Sequence, residues 1–123
     1  MDTVRRIASD SLERVETWPG IARQEAIVAG PMWSGLAHLD PGSDTGWHHH
    51  GGYETSLYVV SGEVRLEFGK DGAESLAAGP GDFIHVPAGV IHRELNTIDT
   101  PATTVMTRAG EGPTMVQVEG PER

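Results

Sequence analysis

Nine short segments with the alternation or apolar content of strands run between residues 21 and 118, each bounded by Gly, Pro, Asp or Asn. They are Ile21–Val28, Trp33–Leu39, Trp47–His50, Ser56–Val60, Val64–Phe68, Phe83–Val86, Ile91–Leu95, Thr103–Arg108 and Thr114–Val118. None is long enough for a helix to bury a stripe on a neighbour, and the 16 glycines and 8 prolines interrupt any longer period. Many short strands with turns between them can close only as a sandwich or barrel, so the pattern predicts an all-β fold. Residues 1–20, polar and of mixed charge up to Trp18-Pro19-Gly20, fit neither period and are expected to form an N-terminal arm, leaving 21–123 as the barrel domain.

At 123 residues the chain is one domain. Its net charge of −9 disfavours nucleic acid and anionic membranes, both of which require positive charge, and points to a small-molecule partner. With no cysteine, disulfides, thiolate metal sites and cysteine nucleophiles are excluded. No apolar run approaches the roughly 18 residues of a membrane span, and none follows Met1 as in a secretory leader, so a soluble cytoplasmic protein is expected.

Chemistry concentrates at His48-His49-His50. In an extended strand alternate side chains share a face, so His48 and His50 point to one side and His49 to the other. A pair of imidazoles aimed at one point is half of a metal site for divalent Fe, Mn, Ni, Cu or Zn. Another histidine, His92, follows two rigid corners, Gly79-Pro80-Gly81-Asp82 and Pro87-Ala88-Gly89, where glycine and proline fix the backbone. Ser61-Gly62-Glu63 and Gly69-Lys70-Asp71-Gly72 are expected to be hairpin turns.

The spacing resembles the two motifs of the cupin superfamily, over about residues 30–108. Gly81, Pro87, Gly89, His92 and Asn96 meet the second motif in full. Gly42, His48, His50, Glu54 and Gly62 meet the first, except that seven residues rather than six separate Glu54 from Gly62; counting back six from Gly62 gives Thr55. The resemblance implies a double-stranded β-helix of the jelly-roll type, one divalent metal on His48, His50 and His92, and a homodimer. The fourth ligand is left open among Glu54, Thr55, water and substrate. Glu54 serves only if a bulge permitted by Gly51-Gly52 turns it inward.

Parity adds a residue that the motifs omit. His92, Glu94 and Asn96 share one face of their strand, so Glu94 stands either beside the metal as a general base or orienting carboxylate, or paired with Arg65, Arg93 or another cation near the barrel mouth. Glu94 and Glu54 are therefore the candidate catalytic residues. His49 is expected at the surface or behind the ligands, His38 has no decisive phase, and His85 is expected as a hydrogen-bonded core residue. Tyr58 is assigned to the core, while Tyr53 or Trp47 is a candidate pocket wall.

The resemblance implies a metal-dependent enzyme, first a dioxygenase. The alternatives are a zinc-dependent non-redox isomerase, cyclase or lyase, and a non-catalytic small-molecule binding protein. The strings Trp47–Thr55 and Gly81–Pro87 are similar to small stand-alone bacterial cupins and to the zinc-binding cupin unit of hydrazine synthetases, which implies an N–N bond-forming rearrangement as one such non-redox reaction.

Overall fold

The computed structural model describes residues 3–113 and 115–123. Among these residues eleven strands follow in chain order: β1 Glu13–Trp18, β2 Ile21–Ala29, β3 Met32–Leu39, β4 His48–His49, β5 Glu54–Ser61, β6 Val64–Phe68, β7 Glu74–Ala78, β8 Phe83–Val86, β9 His92–Leu95, β10 Ala102–Ala109 and β11 Val116–Gln117. They form a six-stranded sheet ordered β1-β2-β3-β10-β5-β8 and a five-stranded sheet ordered β11-β4-β9-β6-β7. Every strand pairing is antiparallel. The expected all-β double-stranded β-helix is the fold observed. Among the described residues no helix is long and apolar enough to cross a membrane.

Period-two patterning explains where the core lies. On β10, Ala102, Thr104, Met106 and Arg108 are buried and their neighbours are not; on β5 the buried set is Thr55, Leu57 and Val59. Cross-strand register aligns these inward residues into rows. One row runs Trp33, Arg108, Thr55 and Val86, and another runs Arg23, Ala37, Thr104 and Val59. The six-stranded sheet thus turns an apolar face carrying two arginines toward the histidine-bearing sheet.

Four expectations need correction. Residues 13–18 of the arm are not free chain but strand β1, paired along β2 from Glu13↔Glu25 to Trp18↔Ile21. Strand β7 was not expected, because Glu74-Ser75-Leu76-Ala77-Ala78 holds no β-branched residue and is mostly exposed. Ser61-Gly62-Glu63 is no hairpin: β5 and β6 belong to different sheets, and these residues carry the chain between them. Only the second of the two expected turns, residues 69–73, joins hydrogen-bonded neighbours, β6 and β7. Tyr58 lies on the outer face of its strand against the exposed Phe83, with ring centroids 4.8 Å apart, rather than in the core. The last expected segment, Thr114–Val118, is strand at Val116–Gln117, with Thr114 outside the described residues.

The sheet-to-sheet step depends on glycine for two reasons. Gly62 has φ of 77°, and a Cβ there would run into the Pro101 carbonyl oxygen and stand 2.7 Å from Ala102 Cα. Both obstacles are backbone that leads into β10, so neither can rotate away. Gly62→Val is expected to lower the stability of the protein by about 2–3 kcal/mol, read as a shifted urea midpoint. An unchanged midpoint would contradict this account of the step.

Candidate metal centre

Three histidines converge between the sheets. His48 on β4 and His92 on β9 are direct cross-strand partners, and His50 follows one pleat after His48. All three side chains are buried, and one nitrogen from each lies within 4.8 Å of the other two. Ring centroids are 4.4 Å apart for His48 and His92, 4.9 Å for His48 and His50, and 5.1 Å for His50 and His92.

Backbone carbonyls fix which ring nitrogen faces the centre. His48 Nδ1 donates to Gly46 O at 2.8 Å, and His92 Nδ1 donates to Val90 O at 2.9 Å. With the proton on Nδ1, each Nε2 carries a lone pair, and both Nε2 atoms are buried with no hydrogen-bond partner among the described residues. A buried acceptor left without a donor is unfavourable, whereas a metal cation satisfies it. Burial, the largest influence, holds the His48 imidazolium pKa down at about 4; Glu94 opposes that shift and His92 adds to it. Near neutral pH the ring is therefore in its ligating form.

Glu94 is the buried acid of the site. Its Oε2 lies 3.0 Å from Arg23 Nη2 and 3.9 Å from His48 Nε2, and both members of the Arg–Glu pair are almost fully excluded from solvent. Burial alone would raise the carboxyl pKa, but the Arg23 charge, followed by His92, His48 and His50, outweighs it and holds the group below its ordinary range. Of these, the arginine is charged at every relevant pH, so its effect stands even when the imidazoles are neutral. Arg23 also stacks over Trp18 at 4.7 Å, and Trp18 stacks at 6.4 Å on His48. Thus β1, expected to be an arm, places an indole against both the cation and a ligand histidine.

The partner of Glu94 was missed in the sequence, although Arg23 shares strand phase with the apolar Ile21, and a charge in that phase signals a buried partner. Arg65 and Arg93, the expected candidates, point outward. Arg65 donates to Glu67, and Arg93 to Glu67 and Asp44. Arg93 also covers the Trp47 ring at 4.8 Å, so Trp47 packs on the outside rather than lining a pocket at the histidines.

Glu54 does not join the histidines. The bulge that would have turned it inward is absent: β5 keeps regular register with β10 through Glu54, Thr55 and Ser56, and Thr55 is the residue that faces in. Gly51-Gly52 makes a tight turn instead, closed by Tyr53 N donating to His50 O. The exposed Glu54 carboxylate accepts from His85 Nε2 at 2.8 Å and from Ala88 N at 2.6 Å. It thereby ties β5 to the corner that leads to His92. His85, expected in the core, is accordingly exposed on the outer face.

The remaining residues have structural roles. His49 is turned away from its neighbours and accepts from Gly51 N. His38 bridges Gln24 and Thr103. Asn96 uses its whole amide on backbone, donating to Leu39 O and Thr100 O and accepting from Ile98 N, which fixes the chain after β9. Tyr53 lines a hollow of about 280 Å³ with Glu25, Met32 and Trp33, and none of the three histidines borders it. A smaller cavity of about 90 Å³ has His92 among its walls, without His48, His50 or Glu94.

The family model of the cupin domain matches residues 35–108, and the chain belongs to the cupin family. Among solved structures it is similar to KdgF from Halomonas sp., with 19% identity and a TM-score of 0.75 over 89% of this chain and 96% of that one. An uncharacterized conserved protein with a double-stranded beta-helix domain from Klebsiella pneumoniae is 20% identical, with a TM-score of 0.76 over 95% of this chain and 99% of the other. Oxalate decarboxylase of Bacillus subtilis, whose Mn(II) centers have been studied, is 24% identical with a TM-score of 0.73, over 86% of this chain but only 30% of that one. At these identities the likeness is one of fold. No curated protein sequence matches the chain.

The depressed His48 pKa predicts an acid-sensitive metal-free protein. The unfolded chain takes up this proton near the ordinary histidine value of 6.5, the folded chain only at about 4. Stability is therefore undiminished above pH 6.5 and falls through the window down to pH 4, by a total on the order of 3 kcal/mol. The lowered Glu94 pKa acts only below the ordinary carboxylate range, outside most of that window. Urea denaturation between pH 7.5 and 4.5 should show the slope, and His48→Asn should flatten it. An equal slope in both proteins would contradict the assignment.

Proposed function

We propose that this protein is a metal-dependent enzyme acting on a small molecule, with one divalent ion per chain on His48, His50 and His92 and the Glu94 carboxylate beside it. The observation that carries this reading is the pair of buried, partnerless Nε2 atoms of His48 and His92, whose opposite nitrogens are committed to carbonyls. A metal bound there would supply Lewis acidity toward an oxygen of the substrate. Glu94, kept anionic by Arg23, is a weak base and a strong acceptor. It suits orienting a substrate hydroxyl or a water better than storing a proton.

That division of roles favours non-redox chemistry, such as an isomerase, cyclase, lyase or decarboxylase step. An N–N bond-forming rearrangement falls in the same class. A dioxygenase is the second reading, supported by a set of three histidines that would leave positions open on a bound iron, with the nearest carboxylate held by an arginine. Zinc in the purified protein favours the first reading and iron the second. Homodimerisation belongs to the same proposal, supported by the open edge of β8, where Phe83 is 73% exposed.

Elemental analysis of protein purified without a histidine tag tests the proposal. One equivalent of divalent metal per chain is expected, lost in His92→Ala and retained in Glu94→Gln and in Glu54→Ala. Once a substrate is found, Glu94→Gln should turn over roughly 10- to 100-fold more slowly, the usual loss on removing a group that supports a metal site. Wild-type protein without metal, or His92→Ala with a full equivalent, would overturn the reading.

A further inference from the structure

The cavity that reaches His92 lies between the edge strands of the two sheets. Strand β7 ends the five-stranded sheet and β8 ends the six-stranded one, and the two are not paired with each other. The gap between them is about 90 Å³, walled by Leu66, Phe68, Leu76, Ile84, Val86 and Val90, with the buried His92 among its walls and the exposed His85 and Pro87 also on it. Its polar side chains are thus one metal-ligand candidate within and one exposed histidine, which is tied to Glu54. A small apolar cavity of this kind holds water poorly and gains from being filled by hydrocarbon.

We infer that this cavity receives the apolar end of the substrate, which is therefore a compact molecule joining a short hydrocarbon group to an oxygen-bearing head directed at the histidines. This rests on the proposed metal-dependent reading of the same site and adds the substrate class. The charge arrangement fits. His92 on the cavity wall is the cross-strand partner of His48, whose Nε2 lies 3.9 Å from Glu94 Oε2, so the head is placed toward these polar groups and the tail among Leu66, Phe68, Leu76, Ile84, Val86 and Val90. Long or strongly polar tails are excluded by the volume and by the walls.

The probes are straight-chain carboxylates from acetate to octanoate, titrated into Co(II)-loaded protein and followed by the visible cobalt spectrum. Affinity should rise roughly threefold to fourfold per methylene, the gain for burying each CH₂, and level off once the cavity is full. Leu76, half-exposed on β7, can be changed without touching a histidine. Leu76→Trp should abolish the chain-length dependence while acetate and Co(II) binding stay as in wild type, and Leu76→Ala should move the plateau to a longer chain. In the metal-free protein, methyl NMR shifts at Ile84 and Val86 on adding hexanoate report cavity occupancy independently. Loss of Co(II) binding with those shifts intact would defeat the metal reading and leave the cavity assignment standing. Equal affinities across the series, or a length dependence indifferent to both Leu76 variants, would overturn the inference.

Discussion

A carboxylate buried among imidazoles is unfavourable unless a cation is buried with it, and Arg23 is that cation. Its 3.0 Å contact to Glu94 crosses between the two sheets, from β2 to β9, and links the charge of the site to the arrangement of the fold. Removing either partner would leave a charge without compensation in the interior, a loss of several kcal/mol by the usual behaviour of buried pairs. The pair explains why the edge strand matters. Trp18 on β1 covers the Arg23 guanidinium and the His48 ring together, so strand pairing at the sheet edge shields the ion pair from water.

Around that pair the site is assembled from backbone more than from side chains. Gly46 O and Val90 O set the tautomers of His48 and His92, and both carbonyls lie in the segments that lead into β4 and β9. Thr45 joins them to the acid, donating from Oγ1 to Gly46 O and accepting from Glu94 N. The corner before His92 is tied from outside by Glu54 through Ala88 N. Ligand direction therefore follows from strand register and turn geometry, which is the arrangement that keeps a metal site in shape without the metal.

Much of this was legible in the sequence because a strand has an integral period. Parity alone put His48 with His50, turned His49 away and placed Glu94 beside His92, and the turn residues marked the barrel. What was not legible depended on long-range pairing. The arm could not be recognised as β1, because its apolar residues Val15 and Trp18 are three apart and so break the alternation, the pairing with β2 shifting register between Val15 and Thr17. Arg23 could not be matched to Glu94, since the two are 71 residues apart and on different sheets. Glu54 stays open as a ligand in the sequence because the motif spacing and the strand register disagree by one residue, and in the folded chain the register holds. Its two hydrogen bonds at the outer corner show why: an inward Glu54 would have broken β5 pairing to β10 in order to add a carboxylate to a site that already has Glu94.

The central claim is that three imidazoles, two of them oriented by backbone carbonyls, form a divalent metal centre with Glu94 beside it. X-ray absorption at the K-edge of the metal found in untagged protein measures this directly. The account predicts a first shell containing three imidazole nitrogens and a spectrum unchanged by Glu54→Ala. A first shell with fewer than three imidazoles, or one that changes when Glu54 is removed, would contradict it.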